Sequence, residues 1–293
     1  MLLIDALDEF LQYQVYKNNS KSTISNYKLI ISKFIDFNNN CECSSLSADD
    51  FNNYNVFMRS VVNSVSVRTY IRHLKVFLSF LVERNYIDDF RSDVIMPQKT
   101  KKVIEILSPC EVKKLLSVDD LSSFLGLRNH CMLLLMLDCG LRASEVVSLT
   151  PASLHLSDCY IVVFGKGNKQ RVVPVGTVLV NYLFKYICQY GYGDNVVFRG
   201  IRYDVLTTNV FKKVFKHYKD VTHIYRLYPH LLRHTFATNF LLQGYGDIYE
   251  LSMLLGHSDI KTTEIYLHIA NYYKFMYRKK SVSFIDNLDT LDF

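Results

Sequence analysis

No Cys-x-x-Cys pair occurs in this 293-residue sequence, although it holds seven cysteines. Cys41 and Cys43 stand close together, but no histidine follows them at metal-ligand spacing. An odd count without pairs argues against a disulfide scaffold or a zinc site and for free thiols in a reducing compartment. No apolar run is long enough to span a bilayer, so no membrane partner is expected. The opening Met-Leu-Leu-Ile-Asp-Ala-Leu-Asp-Glu lacks the basic segment of a secretory signal, and a cytoplasmic location is expected. Internal repeats and low-complexity tracts are also missing, which removes solenoid and disordered classes.

What remains is a soluble globular composition, 49% hydrophobic and 21% charged. The length favours two domains. The net charge of +6 is modest, but its placement is uneven. The first hundred residues balance 11 basic against 11 acidic side chains, and the rest carry 23 against 17. A basic second half suits a polyanion; ordinary solubility charge is the plainer alternative.

Residues 1–90 read as a small four-helix domain. Leu2–Tyr16 has apolar residues at helical spacing, and Ser22-Thr23 opens a run through Tyr27, Ile30, Ile31, Phe34 and Ile35. Ser47 opens a third helix, and Ser64 or Ser66 a fourth. On the fourth, Arg68, Arg72 and Lys75 recur at i, i+4 and i+7, a stripe suited to a DNA backbone or simply to solvent. Residues 91–104, with Pro97, Lys101 and Lys102, read as an extended basic linker that also suits DNA.

The second domain, 105–280, reads as mainly α with a small β-sheet. Ser108-Pro-Cys-Glu111 is a capping box with proline at N1. Phe124–Leu137 follows as a largely buried helix. Residues 161–164 and 171–175 are strands around Gly165-Lys-Gly-Asn168. Helices are expected near 177–189, 204–219, 231–242, 247–255 and 260–269.

The order of Arg142, Lys166, His230, Arg233, His257 and Tyr266 carries chemistry. Cleaving a phosphodiester without a metal needs fixed charge on the non-bridging oxygens, a proton acceptor for the nucleophile and a donor for the leaving oxygen. Two arginines bind phosphate as bidentate forks, histidines exchange protons near neutrality, and a lysine on a hairpin tip can reach a leaving group. Each residue alone has a plainer explanation as packing or surface. Their order and spacing lift the reading.

Four stretches carry a resemblance: Cys139-Gly-Leu-Arg142-Ala-Ser-Glu145, Gly165-Lys166 through Arg171, His230-Leu-Leu-Arg233-His234-Thr-Phe-Ala-Thr238, and Leu254-Leu-Gly-His257-Ser through Tyr266. Together they resemble the tyrosine recombinases, the phage-integrase-like site-specific recombinases, and especially the short Xer-like members. The resemblance implies an N-terminal core-binding domain and a C-terminal catalytic domain. It makes Tyr266 the nucleophile, with Arg142, Lys166, His230, Arg233 and His257 as catalytic partners. His230 is expected to accept the tyrosine proton and Lys166 to protonate the leaving oxygen. Glu145 would support the site by orienting Arg142 or His234, a further supporting residue. Lys169 and Arg171 join Arg68, Arg72, Lys75, Lys101 and Lys102 as expected DNA contacts. Tyr272, Tyr273 and Tyr277 are expected to pack.

The implied activity is strand exchange through a 3′-phosphotyrosyl link and a Holliday junction, with no cofactor, metal or ATP. The implied partner is double-stranded DNA, bound by one monomer per half-site and by a homotetramer on two paired sites. Residues 281–293 would form an exchanged tail. A related recombinase or an accessory protein is a further expected partner. The sequence begins at the core-binding helices, which favours dimer resolution, inversion or simple integration over the larger phage integrases. Type IB topoisomerase-like relaxation, or a DNA-binding protein that has lost catalysis, are the alternatives.

Overall fold

The computed structural model describes residues 1–98, 104–165, 169–193, 195–201 and 206–276. The chain divides into two compact units, Met1–Val103 and Ile104–Phe293. Among the described residues no helix is long and apolar enough to cross a membrane.

The first unit packs α1 (Leu3–Tyr16), α2 (Lys21–Phe37), α3 (Ala48–Val61) and α4 (Ser64–Glu83) around an aromatic core. Phe10 meets Phe77 and Phe80 edge-on with centroids 5.3 and 5.4 Å apart, and Phe34 meets Phe51 at 4.6 Å. Such contacts follow from the opposed charge of ring face and edge. Local capping sets the helix starts. Ser20, rather than Ser22 or Thr23, caps α2 by accepting from the Thr23 amide. Asp50 accepts from the Ser47 amide at the start of α3, and Asn63 caps α4.

The expected linker begins by folding back on this bundle. Asn52 bridges the Asp93 carbonyl and the Ile95 amide, and Val94 is buried. Two members of the basic stripe are consumed in the same way. Arg68 donates to the Pro97 carbonyl, and Lys75 donates to the Val94 carbonyl at 3.1 Å. Arg72 alone of the three is exposed. The stripe is therefore not a free cationic face: a chain returning along α4 offers carbonyls that its cations satisfy. Lys101 and Lys102 lie outside the described residues.

The second unit contains α5 (Pro109–Leu116), α6 (Phe124–Asp138), α7 (Ala143–Val147), β1 (Leu154–His155), β2 (Tyr160–Phe164), β3 (Gln170–Pro174), α8 (Thr177–Tyr190), α9 (Asn209–Thr222), α10 (Pro229–Gln243), α11 (Ile248–Leu255) and α12 (Lys261–Met276). The sheet is antiparallel in the order β1-β2-β3, with Phe164 opposite Gln170 at the hairpin end. Helix α6 is buried along most of its length and packs against α8 and α10. A smaller cluster joins α10, α11 and α12 through Ala237, Leu251, Leu255, Tyr266, Ile269 and Ala270. The Ser108 box forms as expected, and its Glu111 also receives two hydrogen bonds from Arg226. Arg226 holds the Glu111 carboxyl down to about 2, assisted by Ser108.

Candidate active site

Arg142 stands at the N-cap of α7, where the Glu145 carboxylate accepts from its backbone amide at 2.8 Å. The turn into this helix needs Gly140, whose φ of +64° lies in the left-handed region. A Cβ there would stand 2.4 Å from Phe236 Cδ1, so Gly140 also lets α10 approach. Pro229 opens α10 at N1. On that helix His230, Arg233 and His234, at i, i+3 and i+4, share a face. Helix α11 ends at Gly256, left-handed at φ +64°, and the chain turns there to place His257. Tyr266 follows on α12, packed against α10.

Glu145 is the hub of this arrangement. It is 5% exposed, and its two oxygens receive Arg171 Nη1 and Nη2 at 2.9 and 2.8 Å. Arg142 Nη1 adds a third contact at 2.9 Å, and Arg233 Nη1 lies 3.9 Å away. Burial alone would raise the Glu145 pKa, but hydrogen bonds from Arg171 and the Arg142 amide, with both guanidinium charges, hold it below the usual range. The C-terminal carbonyls of α11 complete the hub. Leu255 O accepts from Arg233 at 2.6 Å and Arg142 at 3.3 Å, and Leu254 O accepts from Arg171 at 2.7 Å. A helix C-terminus presents unpaired carbonyls and partial negative charge, so it suits three guanidiniums. Three cations against one carboxylate leave a positive site. Arg142, 31% exposed at its side chain, is the guanidinium that opens to solvent.

Arg233 is 3% exposed and donates to the Gly140 carbonyl at 2.6 Å. Burial, then Arg142, pushes its pKa down to about 10, so it stays charged at neutral pH. Its Nη2 also lies 3.1 Å from His257 Nε2. A guanidinium only donates, so His257 Nε2 accepts and Nδ1 carries the proton, donating to Thr263 Oγ1 at 2.8 Å. Burial and then Arg233, Arg142 and Arg171 push His257 down to about 4. His234 is likewise pushed to about 4 by burial, His230 and Arg233. His230 is more open, and its pKa is lowered by partial burial, Arg233 and Arg142. All three rings are neutral at physiological pH.

Tyr266 is 3% exposed, and its hydroxyl lies 3.0 Å from His234 Nδ1. Burial raises the phenol pKa, while Arg233 and then Arg142 act in the opposite direction. Five of the six expected catalytic residues thus gather around one centre; Lys166 lies outside the described residues. Several expectations need correction. The ring bonded to the phenol here is His234, while His230 stands one turn earlier on α10 beside Arg233 and Arg142. Glu145 orients Arg142, as one alternative had it, but not His234. Arg171, expected as a DNA contact, has a side chain only 9% exposed and clamped by Glu145. Lys169 is exposed at the hairpin. Tyr272 is 55% exposed rather than packed, Tyr273 packs partly against the α10–α12 cluster, and Tyr277 lies outside the described residues.

One feature escaped the sequence reading. Lys212, Lys216 and Lys219 recur at i, i+4 and i+7 on α9, and they border a 480 Å³ hollow that also contacts Tyr228, Pro229 and His230. Among the described residues no carboxylate pairs with these three. Their spacing was visible, but their nearness to His230 depends on how α9 packs.

Residues 105–272 match the phage integrase family, and residues 3–88 match the phage integrase N-terminal SAM-like domain. The chain is 31% identical over 281 residues to the tyrosine recombinase XerD of Oceanobacillus iheyensis, covering 90% of this chain and 93% of that one. It is 36% identical over 213 residues to XerD of Pseudomonas aeruginosa, covering 70% and 71%. In fold it is similar to the Tn1549 transposon integrase solved in complex with circular intermediate DNA, at a TM-score of 0.73 and 17% identity, with each chain covered completely. With the arginines, histidines and tyrosine in place on this fold, the chain belongs to the phage integrase family of tyrosine recombinases.

Proposed function

We propose that the chain is a site-specific recombinase that breaks and rejoins double-stranded DNA through Tyr266. The observation that carries this reading is the placement of a buried tyrosine beside Arg233 and Arg142, with three neutral histidines in the same site. The Tyr266 hydroxyl attacks the scissile phosphorus and forms a 3′-phosphotyrosyl bond while the bond to the 5′ oxygen breaks and the phenol proton passes to His230. Arg142 and Arg233 neutralise charge on the non-bridging oxygens as it builds. Lys166 is assigned the proton for the departing 5′ oxygen. The phosphotyrosyl bond keeps the phosphodiester energy, so neither ATP nor a metal is required. Attack by a partner strand's 5′ hydroxyl reverses the step and builds a Holliday junction.

One monomer on each half-site and a tetramer on two sites fit this exchange. The segment 281–293, outside the described residues, is the proposed link between protomers. The α9 lysines are suited to phosphates flanking the cleavage point, where a bound cation displaces counterions. The reading is tested with a nicked suicide site, on which cleavage becomes irreversible. The wild-type protein should accumulate as a covalent DNA adduct, while Tyr266→Phe should bind the site and form none. An adduct formed by the Phe variant would transfer the nucleophile to another tyrosine.

A further inference from the structure

We propose that Thr263 is a positioning residue for cleavage, acting as a hydroxyl rotor behind His257. In the DNA-free protein its oxygen accepts from His257 Nδ1–H. With DNA bound, its hydroxyl turns and donates to Nδ1, which frees His257 Nε2 to carry a proton toward the scissile phosphate. This deepens the proposed function and rests on the arginine clamp receiving that phosphate.

The resting arrangement leaves one donor idle. Arg233 Nη2 carries two hydrogens, one for the Leu255 carbonyl and the other for His257 Nε2 at 3.1 Å. A proton on Nε2 would set N–H against N–H at a charged group, so the ring proton sits on Nδ1 and points at Thr263 Oγ1, 2.8 Å away. Thr263 is fully buried in the first turn of α12. Among the described residues the contact with His257 is its one side-chain hydrogen bond. A hydroxyl that accepts there keeps its own hydrogen without an acceptor. Other buried threonines in this chain spend that hydrogen on a carbonyl one turn earlier, Thr235 on Leu231 and Thr222 on Tyr218.

Phosphate reverses the preference. Its oxygens only accept, so a ring nitrogen that meets one must donate. A phosphate seated against the clamp also competes for the Arg233 hydrogen now given to His257. Once that hydrogen turns to the phosphate, Nε2 loses its donor and gains an acceptor. The neutral ring then favours Nε2–H and a bare Nδ1. A threonine hydroxyl serves both states because it donates as well as it accepts. The proton count is unchanged: one proton leaves Nδ1 for water and one reaches Nε2 from water, which the half-buried ring can meet. Thr263 also stands one turn before Tyr266 on α12, and the Tyr266 ring lies nearly parallel to His257 with centroids 6.4 Å apart. The helix that carries the nucleophile therefore carries the group that sets which way His257 donates.

The test reads the ring directly. In protein labelled with 15N-histidine, the His257 nitrogens should report Nδ1–H without DNA. In the Tyr266→Phe protein on an intact site they should report Nε2–H. His257→Gln identifies these signals among the nine histidines. The same tautomer in both states would overturn the proposal. So would a ring protonated on both nitrogens in the complex, because Thr263 would then go on accepting. Substitution gives a second arm. Thr263→Val keeps the shape and removes the hydroxyl, leaving a buried ring nitrogen unmet, so single-turnover cleavage of the nicked site should fall about tenfold or more. Thr263→Ser keeps the rotor and should stay within about threefold of wild type, well inside that cost. A Val variant as fast as the Ser variant would overturn the proposal, and a Ser variant as slow as Val would reduce Thr263 to packing. Failure of the recombinase reading looks different: Tyr266→Phe would then still form adducts.

Discussion

Arg233 shows how much one buried side chain does here. Its guanidinium satisfies the carbonyls of Gly140 and Leu255 and fixes the His257 tautomer. A lysine keeps the charge but has no fork to meet all three. Arg233→Lys should slow single-turnover cleavage by about 10²–10³-fold, the usual cost of losing a transition-state donor. A rate within about tenfold of wild type would count against the clamp. The histidines give a second prediction. His234 and His257 are held near 4, well below the ordinary value of about 6.5. Between those values the unfolded chain binds protons that the folded site refuses, so stability rises with pH across that window and falls on acidification. Urea midpoints should drop from pH 6.5 towards 4, and the drop should shrink in a double His234→Asn, His257→Gln variant. A midpoint flat over that range in the wild-type protein would show that the rings are not held neutral. Order and spacing pointed to Arg142, His230, Arg233, His257 and Tyr266, and the structure brings these five together because helix turns and a left-handed glycine fix their local neighbours. The partnership of Arg171 with Glu145, 26 positions apart in sequence, was not legible in this way, since burial by a distant carboxylate leaves no local pattern.

At the scale of elements, long amphipathic helices were readable and short connectors were not. Helices α6, α8, α10 and α11 fall within a few residues of their expected bounds. Helix α9 begins at Asn209 rather than near 204. The two-residue β1 and five-residue α7 are too short to show a period, yet α7 carries Arg142 and Glu145. What makes α7 possible is the left-handed turn at Gly140, and this can be tested. Gly140→Ala should cost about 1–2 kcal/mol through backbone conformation alone, and its contact with Phe236 adds to that cost. Because the Gly140 carbonyl holds Arg233 and Arg142 follows two residues later, cleavage should fall as well. Phe236→Leu in the Gly140→Ala background should restore part of the stability by making room, but not the backbone part. An unchanged urea midpoint in Gly140→Ala would show that the turn tolerates a side chain.

At the scale of the whole molecule, the two units have separate interiors. Every buried member of the aromatic core lies at or before Val94, and those of the catalytic-unit clusters lie at or after Ile106. The charge is divided as unevenly as the cores, since the first hundred residues are balanced and the remainder holds the whole excess of +6. Salt-dependent affinity should therefore reside mainly in the second unit, while the first adds contacts whose benefit depends on being tethered. Linked modules bind more tightly than either alone because the second encounter is intramolecular, by a factor of about 10²–10⁴. A protease site placed within residues 99–103 tests this directly. After cutting, both fragments should stay folded, each with its own unfolding transition. Affinity for the recombination site should fall by about 10²–10⁴-fold. The second fragment, residues 104–293, should keep most of the salt slope and, at high concentration, still form the Tyr266 adduct on a nicked site. Unfolding of either fragment on cutting, or undiminished affinity of the cut protein, would show that the link between the units contributes something other than tethering.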